Sequence, residues 1–90
     1  MSEPIQLTQY GLMAERHWLE FLPKMVRELT AKGTLMETLF DAQEMTIDEM
    51  ETLTRQLETE QKLTPQQAHD RAWEMIREKY ILLPPEDDLS

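Results

Sequence analysis

The feature that most constrains this chain is a stretch of helical periodicity over residues 34–61, TLMETLFDAQEMTIDEMETLTRQLETEQ. Its apolar side chains recur at spacings of three, four and seven residues, which places them on one face of an α-helix. They are Met36, Leu39, Phe40, Ile47, Met50, Leu53 and Leu57. The pattern predicts a central amphipathic segment on which the flanking segments pack.

The opposite face of this segment is acidic. Only Arg55 offsets its eight carboxylates, so the segment has a formal charge of minus seven. The acids are Glu37, Asp41, Glu44, Asp48, Glu49, Glu51, Glu58 and Glu60. The whole chain holds 18 acidic and 9 basic side chains, a net charge of −9. Such a charge repels the phosphate backbone, so we expect no direct binding to nucleic acid.

The central segment contains a signal that leaves two arrangements open. Thr46-Ile-Asp-Glu49 fits a T-x-x-E capping box, the pattern that starts a helix. Spacings of seven nevertheless run straight through it. Residues 34–61 therefore form either one long helix or two shorter helices with a break near Met45. The same box occurs at Thr34 with Glu37, and a Gln variant occurs at Thr64 with Gln67.

Local signals also set the limits of the flanking helices. Thr8 is a suitable N-cap for a helix from about Gln9 to Phe21 or beyond. Pro23 lacks the N–H that a helix interior needs, so it predicts a kink or break. The apolar pattern then resumes and ends at Lys32-Gly33, with Gly33 in the left-handed C′ position.

A last helix is predicted from Pro65 to about Tyr80. Its apolar stripe consists of Ala68, Ala72, Trp73, Ile76 and Tyr80. The sequence divides into a flexible lead-in (residues 1–7), a single helical domain (8–83) and a disordered acidic tail (84–90).

These elements predict an all-α fold, a small bundle of three to five helices. The N-terminal and C-terminal helices pack on a long central amphipathic helix or helix pair. We expect the core to combine methionine and leucine of the central stripe with Trp18 and Trp73 from the flanking helices.

The residue types that commonly carry chemistry are scarce or isolated. The chain has no cysteine, and His17 and His69 have no partner at metal-ligand spacing. Carboxylate pairs four residues apart could hold Mg²⁺, but an acidic solvated helix face produces the same spacing. The pairs are Glu37 with Asp41, Glu44 with Asp48, and Glu74 with Glu78. We therefore expect no catalytic, cofactor-binding or metal site, and no enzyme.

Targeting signals are also missing from this sequence. No apolar run approaches the roughly 20 residues that cross a bilayer, and no signal peptide pattern is present. The lack of cysteine fits a reducing compartment. These features predict a soluble cytoplasmic protein that does not bind membranes.

Seven methionines in 90 residues are an enrichment. Methionine fills irregular cores, which is the role we expect for most of them, and it also lines adaptable protein-binding grooves. The leading functional prediction is a non-enzymatic protein-binding adaptor or regulator. The predicted partner-binding residues are Met36, Phe40, Met50, Leu53, Leu57, Trp18 and Trp73, beside an acidic face of Glu44, Asp48 and Glu51. A homodimer is one expectation, because we expect the apolar face of the 28-residue central stretch to exceed what its neighbours cover.

Two other functions fit the sequence. The first is an acidic inhibitor that mimics nucleic acid and blocks a basic nucleic-acid-handling protein. The second is a Mg²⁺-dependent helical hydrolase that uses the helix carboxylates.

The order of several short motifs resembles the TnpV family of small transposon-encoded proteins. The resemblance covers roughly residues 11–82. It rests on Arg16-His17, Gly33-x-Leu35-x-x-x-Leu39, Leu53-x-x-x-Leu57, Thr64-Pro65 and Glu78-Lys79-Tyr80-Ile81. It implies a helical fold and a mobile-element setting, and it carries over no catalytic residue.

Overall fold

The computed structural model describes residues 6–86, which fold into four α-helices without a strand. The helices are α1 (Gln9–Phe21), α2 (Pro23–Lys32), α3 (Leu35–Glu60) and α4 (Pro65–Tyr80). α1, α2 and α4 all pack on α3, and α1 also contacts α2. The predicted all-α bundle with a long central helix is confirmed.

α3 is one unbroken helix of 26 residues, about 39 Å long. Thr46 does not start a second helix. Its hydroxyl donates to the carbonyl of Ala42 at 2.8 Å, a bond that a threonine makes inside a helix. The arrangement with two helices and a break near Met45 is therefore wrong.

The chain breaks at Pro23, as predicted. Leu22 leaves the helical region with φ −131° and ψ 52°, and Pro23 opens α2. α2 ends at Gly33 in the left-handed conformation with φ 72°. There the Gly33 N–H donates to Thr30 and the Thr34 N–H donates to Leu29, the two bonds of a Schellman motif.

This motif explains why the predicted capping box at Thr34 is wrong. The Thr34 side chain makes no cap bond to α3, and its hydroxyl donates instead to the Leu29 carbonyl at 3.5 Å. The other two predicted caps are confirmed. The Thr8 hydroxyl accepts from the Tyr10 N–H, and Thr64 and Gln67 form both bonds of a capping box.

Two hydrophobic clusters lie along one side of α3. The first joins the N-terminal half of α3 to α1, α2 and the C-terminal segment through Ala14, Trp18, Leu22, Val26, Leu39, Ala42 and Ile81. The second joins the C-terminal half of α3 to α4 through Met50, Leu57, Ala68, Ala72 and Ile76. The helix thus serves both clusters with a single face.

The predicted core composition is wrong at one position and incomplete at two others. Met36 is 41% exposed, whereas Trp73 is half-buried and packs against both clusters. Polar Gln43 and Thr46 are buried in the same face of α3 as Leu39 and Met50. Gln43 accepts a hydrogen bond from the Thr8 hydroxyl at 2.9 Å, so its burial leaves a satisfied polar group.

The segments that flank the helices are held more firmly than predicted. Leu7, within the predicted lead-in, packs on the first cluster. At the other end, the Glu86 carboxylate accepts from the Lys24 and Met25 N–H groups at 3.0 and 2.9 Å. It caps α2, because Leu22 has no side chain that could. The predicted tail therefore begins too early, and residues 1–5 and 87–90 lie outside the described residues.

The molecule is plate-shaped. Its Cα atoms extend over 46 × 44 × 14 Å. Their radius of gyration is 15.2 Å, against about 12 Å for a compact chain of this length. A thin plate has more surface for its volume than a sphere, so large apolar side chains on α3 and its neighbours stay partly uncovered. None of the four described helices has the length and apolar character to cross a membrane.

Gly11 lies where α1 approaches α3 too closely for a side chain. A Cβ at this position would lie 2.5 Å from Gln43 Oε1 and 2.9 Å from Leu7 Cβ. Over-packing costs about 1–3 kcal/mol, while alanine in a helix is favoured over glycine by up to about 1 kcal/mol. We therefore expect Gly11→Ala to lower the free energy of unfolding by about 1 kcal/mol in urea titrations.

Its control is the same change in a Gln43→Ala background, where the cost should be smaller because the closest atom is gone. A gain in stability from Gly11→Ala alone would contradict this packing.

Candidate functional site

A groove runs along one flank of α3 and has a volume of about 490 Å³. We call it the α3 groove. All four helices and the segment after α4 contribute to it. Its walls are Trp18, Met25, Thr38, Asp41, Ala42, Glu44, Met45, Asp48, Lys79, Tyr80 and Leu83.

Helical spacing makes α3 the long wall of this groove. Thr38, Asp41, Met45 and Asp48 follow one another at steps of three, four and three residues, so they share one flank of the helix. This flank lies beside the buried face, and Met45 is 47% exposed there. The lining residues that come from the other elements are mainly apolar, and they include Met25 from α2 and Leu83 from the C-terminal segment.

The α3 side of the groove is negatively charged. Asp41, Glu44 and Asp48 are all exposed. Within residues 6–86, none of these three carboxylates pairs with a lysine or arginine. The groove therefore combines apolar walls with a one-sided row of unneutralised carboxylates, which we call the acidic rim.

Glu49, predicted on the acidic face, points instead toward α4. It accepts hydrogen bonds from the Lys79 ammonium at 2.8 Å and from the Tyr80 hydroxyl. The bond from Lys79, followed by that from Tyr80, lowers the pKa of Glu49 below its ordinary value. The same carboxylate raises the pKa of Lys79 and of Tyr80. The one cation in the groove wall is thus already engaged.

The structure does not bring the seven predicted partner-binding residues together. Trp18, Met50 and Leu57 are buried in the chain's own core and offer little surface to a partner. Of the seven, Trp18 alone lines the α3 groove. Phe40, Leu53 and Trp73 are half-buried, and Trp73 stacks on Tyr10 with ring centroids 5.5 Å apart. Met36 is exposed but does not line the groove.

Two of the three residues of the predicted acidic face lie together in the α3 groove. Glu44 and Asp48 line the α3 groove, whereas Glu51 is exposed elsewhere and pairs with Arg55 at 3.1 Å. The prediction missed Met25, Met45 and Leu83. Met45 could have been found, because it is a methionine outside the apolar stripe with Asp41 and Asp48 four and three residues away.

Among residues 6–86, no three His, Asp or Glu side chains converge on a point that could hold a metal ion. His17 Nε2 hydrogen-bonds the Leu83 carbonyl at 2.7 Å. His69 is exposed, and its Nδ1 atom lies 3.8 Å from Asp70 Oδ1. The groove can offer apolar contact and negative charge to another molecule.

Comparison with known proteins gives no further guide to this site. No protein-family model, curated protein or solved structure matches the chain. The resemblance to the TnpV family stays a prediction.

The Glu49 site generates a testable order of pKa changes. Lys79→Met should raise the pKa of Glu49 more than Tyr80→Phe does, because the bond from Lys79 contributes most. A carboxylate with a lowered folded-state pKa stabilises the fold above its unfolded pKa, near 4.5, and loses that contribution as pH falls through the folded pKa. Side-chain ¹³C NMR of Glu49 against pH measures the change.

Lys32→Met, at the exposed end of α2, serves as the control and should leave the pKa of Glu49 unchanged. The arrangement is refuted if the wild-type carboxylate titrates at its ordinary value.

Proposed function

We propose that this protein is a non-enzymatic protein-binding module, an adaptor or regulator that holds its partner in the α3 groove. One observation carries the proposal. Met45 and Met25 line a groove together with Tyr80 and Leu83, directly beside exposed carboxylates that have no lysine or arginine partner among residues 6–86. Flexible, polarizable methionines in a concave apolar site suit the binding of another protein's side chains.

The plate shape supports a binding role. A chain of this length that packs its helices in a thin plate leaves large apolar side chains uncovered. Exposed apolar surface bordered by polar groups is typical of interaction sites. A partner that fills the α3 groove would bury Met45 without any rearrangement of the two clusters.

Charge favours a different protein over a second copy of this chain as the occupant. A homodimer through the groove would bring two acidic rims together in a molecule of net charge −9. Like charges at close range oppose such an assembly, most strongly at low salt. We therefore propose a monomer that binds a foreign partner, in place of the expected homodimer.

The groove also separates this proposal from a nucleic-acid mimic. A mimic needs only the row of carboxylates to engage a basic site. The apolar lining residues Met25 and Leu83, in the same groove as the acidic rim, favour a partner that supplies apolar side chains as well as cations. A regulator of this kind is consistent with the mobile-element setting that the TnpV resemblance implies.

Site-specific photo-crosslinking tests the proposed function. A photoreactive phenylalanine analogue replaces Met45 in the groove, or Met75, which is 58% exposed on α4 and outside the groove. In extract of the native cell, we expect the analogue at position 45, and not at position 75, to yield discrete crosslinked proteins.

The yield should fall when Met25→Asp is added, because a charge in the apolar wall opposes the docking of apolar side chains. Circular dichroism confirms that each variant stays helical. Identical products from positions 45 and 75, or no product from either, would refute the groove as the binding site.

A further inference from the structure

We infer that the occupant of the α3 groove is a basic amphipathic α-helix about three turns long, with its cations on the flank that faces the acidic rim. This inference rests on the proposed function and specifies the class of partner. Three features of the groove lead to it: the receptor's own secondary structure, the length of the wall, and the distribution of charge.

Secondary structure argues for a helical ligand. An extended peptide commonly binds by adding to the edge of a sheet, where free backbone groups await pairing. Residues 6–86 contain no strand, and the groove walls are mainly helices whose interior backbone groups are already paired. A ligand in an apolar groove must then satisfy its own backbone, which an α-helix does.

Length sets the size of the ligand. Lining residues on α3 run from Thr38 to Asp48, about 15 Å of helix axis at 1.5 Å per residue. A ligand helix lying along α3 over this distance contacts it through about three turns. Its apolar anchors would lie at spacings of three and four residues, facing Met45 and Met25.

Charge sets the polarity of the ligand's flanks. The three acidic residues of the rim stand on α3 alone, at positions 41, 44 and 48. The lining residues from the other elements are mainly apolar, and the one cation among them, Lys79, is bound to Glu49. A matching helix therefore carries lysine or arginine on one flank at spacings of three or four residues. Its apolar side chains lie on the face that enters the groove.

The methionines set how selective the groove is for apolar anchors. Met25 and Met45 have flexible side chains, so leucine, isoleucine or phenylalanine can each be accommodated. Charge complementarity then selects the partner and speeds association more than it adds affinity. The groove should recognise a class of helix rather than a single sequence.

Two synthetic peptides of fourteen residues test the inference. One carries leucines on the face that enters the groove and lysines on one flank, and the other has each lysine replaced by glutamate. Titration calorimetry with the full chain should detect binding of the lysine peptide only. Raising the salt from low to high concentration should weaken this binding about tenfold, because the rim charges are exposed.

Charge-matched variants locate the binding. The triple variant Asp41→Asn, Glu44→Gln and Asp48→Asn should weaken the lysine peptide about tenfold. The control triple variant Glu58→Gln, Glu60→Gln and Glu74→Gln makes the same change in net charge away from the groove. We expect the control to change binding much less.

Each other outcome overturns the inference. Equal binding of both peptides shows that the rim does not select charge, and equal weakening by both triple variants shows that only net charge matters. If the lysine peptide does not bind while position 45 still yields crosslinked partners, the inference fails and the proposed function stands. If both experiments fail, both proposals fall.

Discussion

The burial of one face of α3 holds the whole molecule together, because both hydrophobic clusters share it. Leu39 and Ala42 pack in the first cluster, while Met50 and Leu57 pack in the second. Between the clusters, the same face of α3 carries two buried polar residues, Gln43 and Thr46, which we call the polar seam. The side chains of both are hydrogen-bonded. Thr46 bonds within the helix and Gln43 bonds to the chain before α1. A break in α3 between the clusters would leave two small cores, each marginal for stability.

The burial of this face of α3 also determines which residues remain available for binding. Once one face of α3 is committed to the clusters, its neighbouring flank carries Met45 with Asp41 and Asp48. α2, the end of α4 and the segment after it supply the facing wall, and the Glu86 carboxylate fixes that segment to the start of α2. The groove therefore depends on how α2, the end of α4 and the segment after it pack against α3. Its negatively charged side lies on α3, the helix that carries most of the net charge.

Features decided by covalent structure or by neighbours in the chain could be predicted from the sequence. Pro23 lacks the N–H that a helix interior needs, and Gly33 readily adopts the left-handed conformation. Thr64 and Gln67 form a capping box, because no other group among residues 6–86 competes for their hydrogen bonds. Prediction failed where a distant or competing partner decides the outcome. The Thr34 hydroxyl donates to the Leu29 carbonyl, and the buried Gln43 accepts a hydrogen bond from Thr8, which is distant in the sequence. The groove walls come from four helices, so spacing along one helix could suggest Met45 and the rim but not Met25 or Leu83.

Amide hydrogen exchange along α3 tests most directly whether one continuous helix joins the two clusters. We expect the amides from Gln43 to Met50 to exchange as slowly as those of Leu39 and Leu57, through a single cooperative opening of the helix. Fast exchange confined to the residues around Thr46, with the two halves of α3 opening at different free energies, would contradict the shared seam and with it the long wall of the α3 groove.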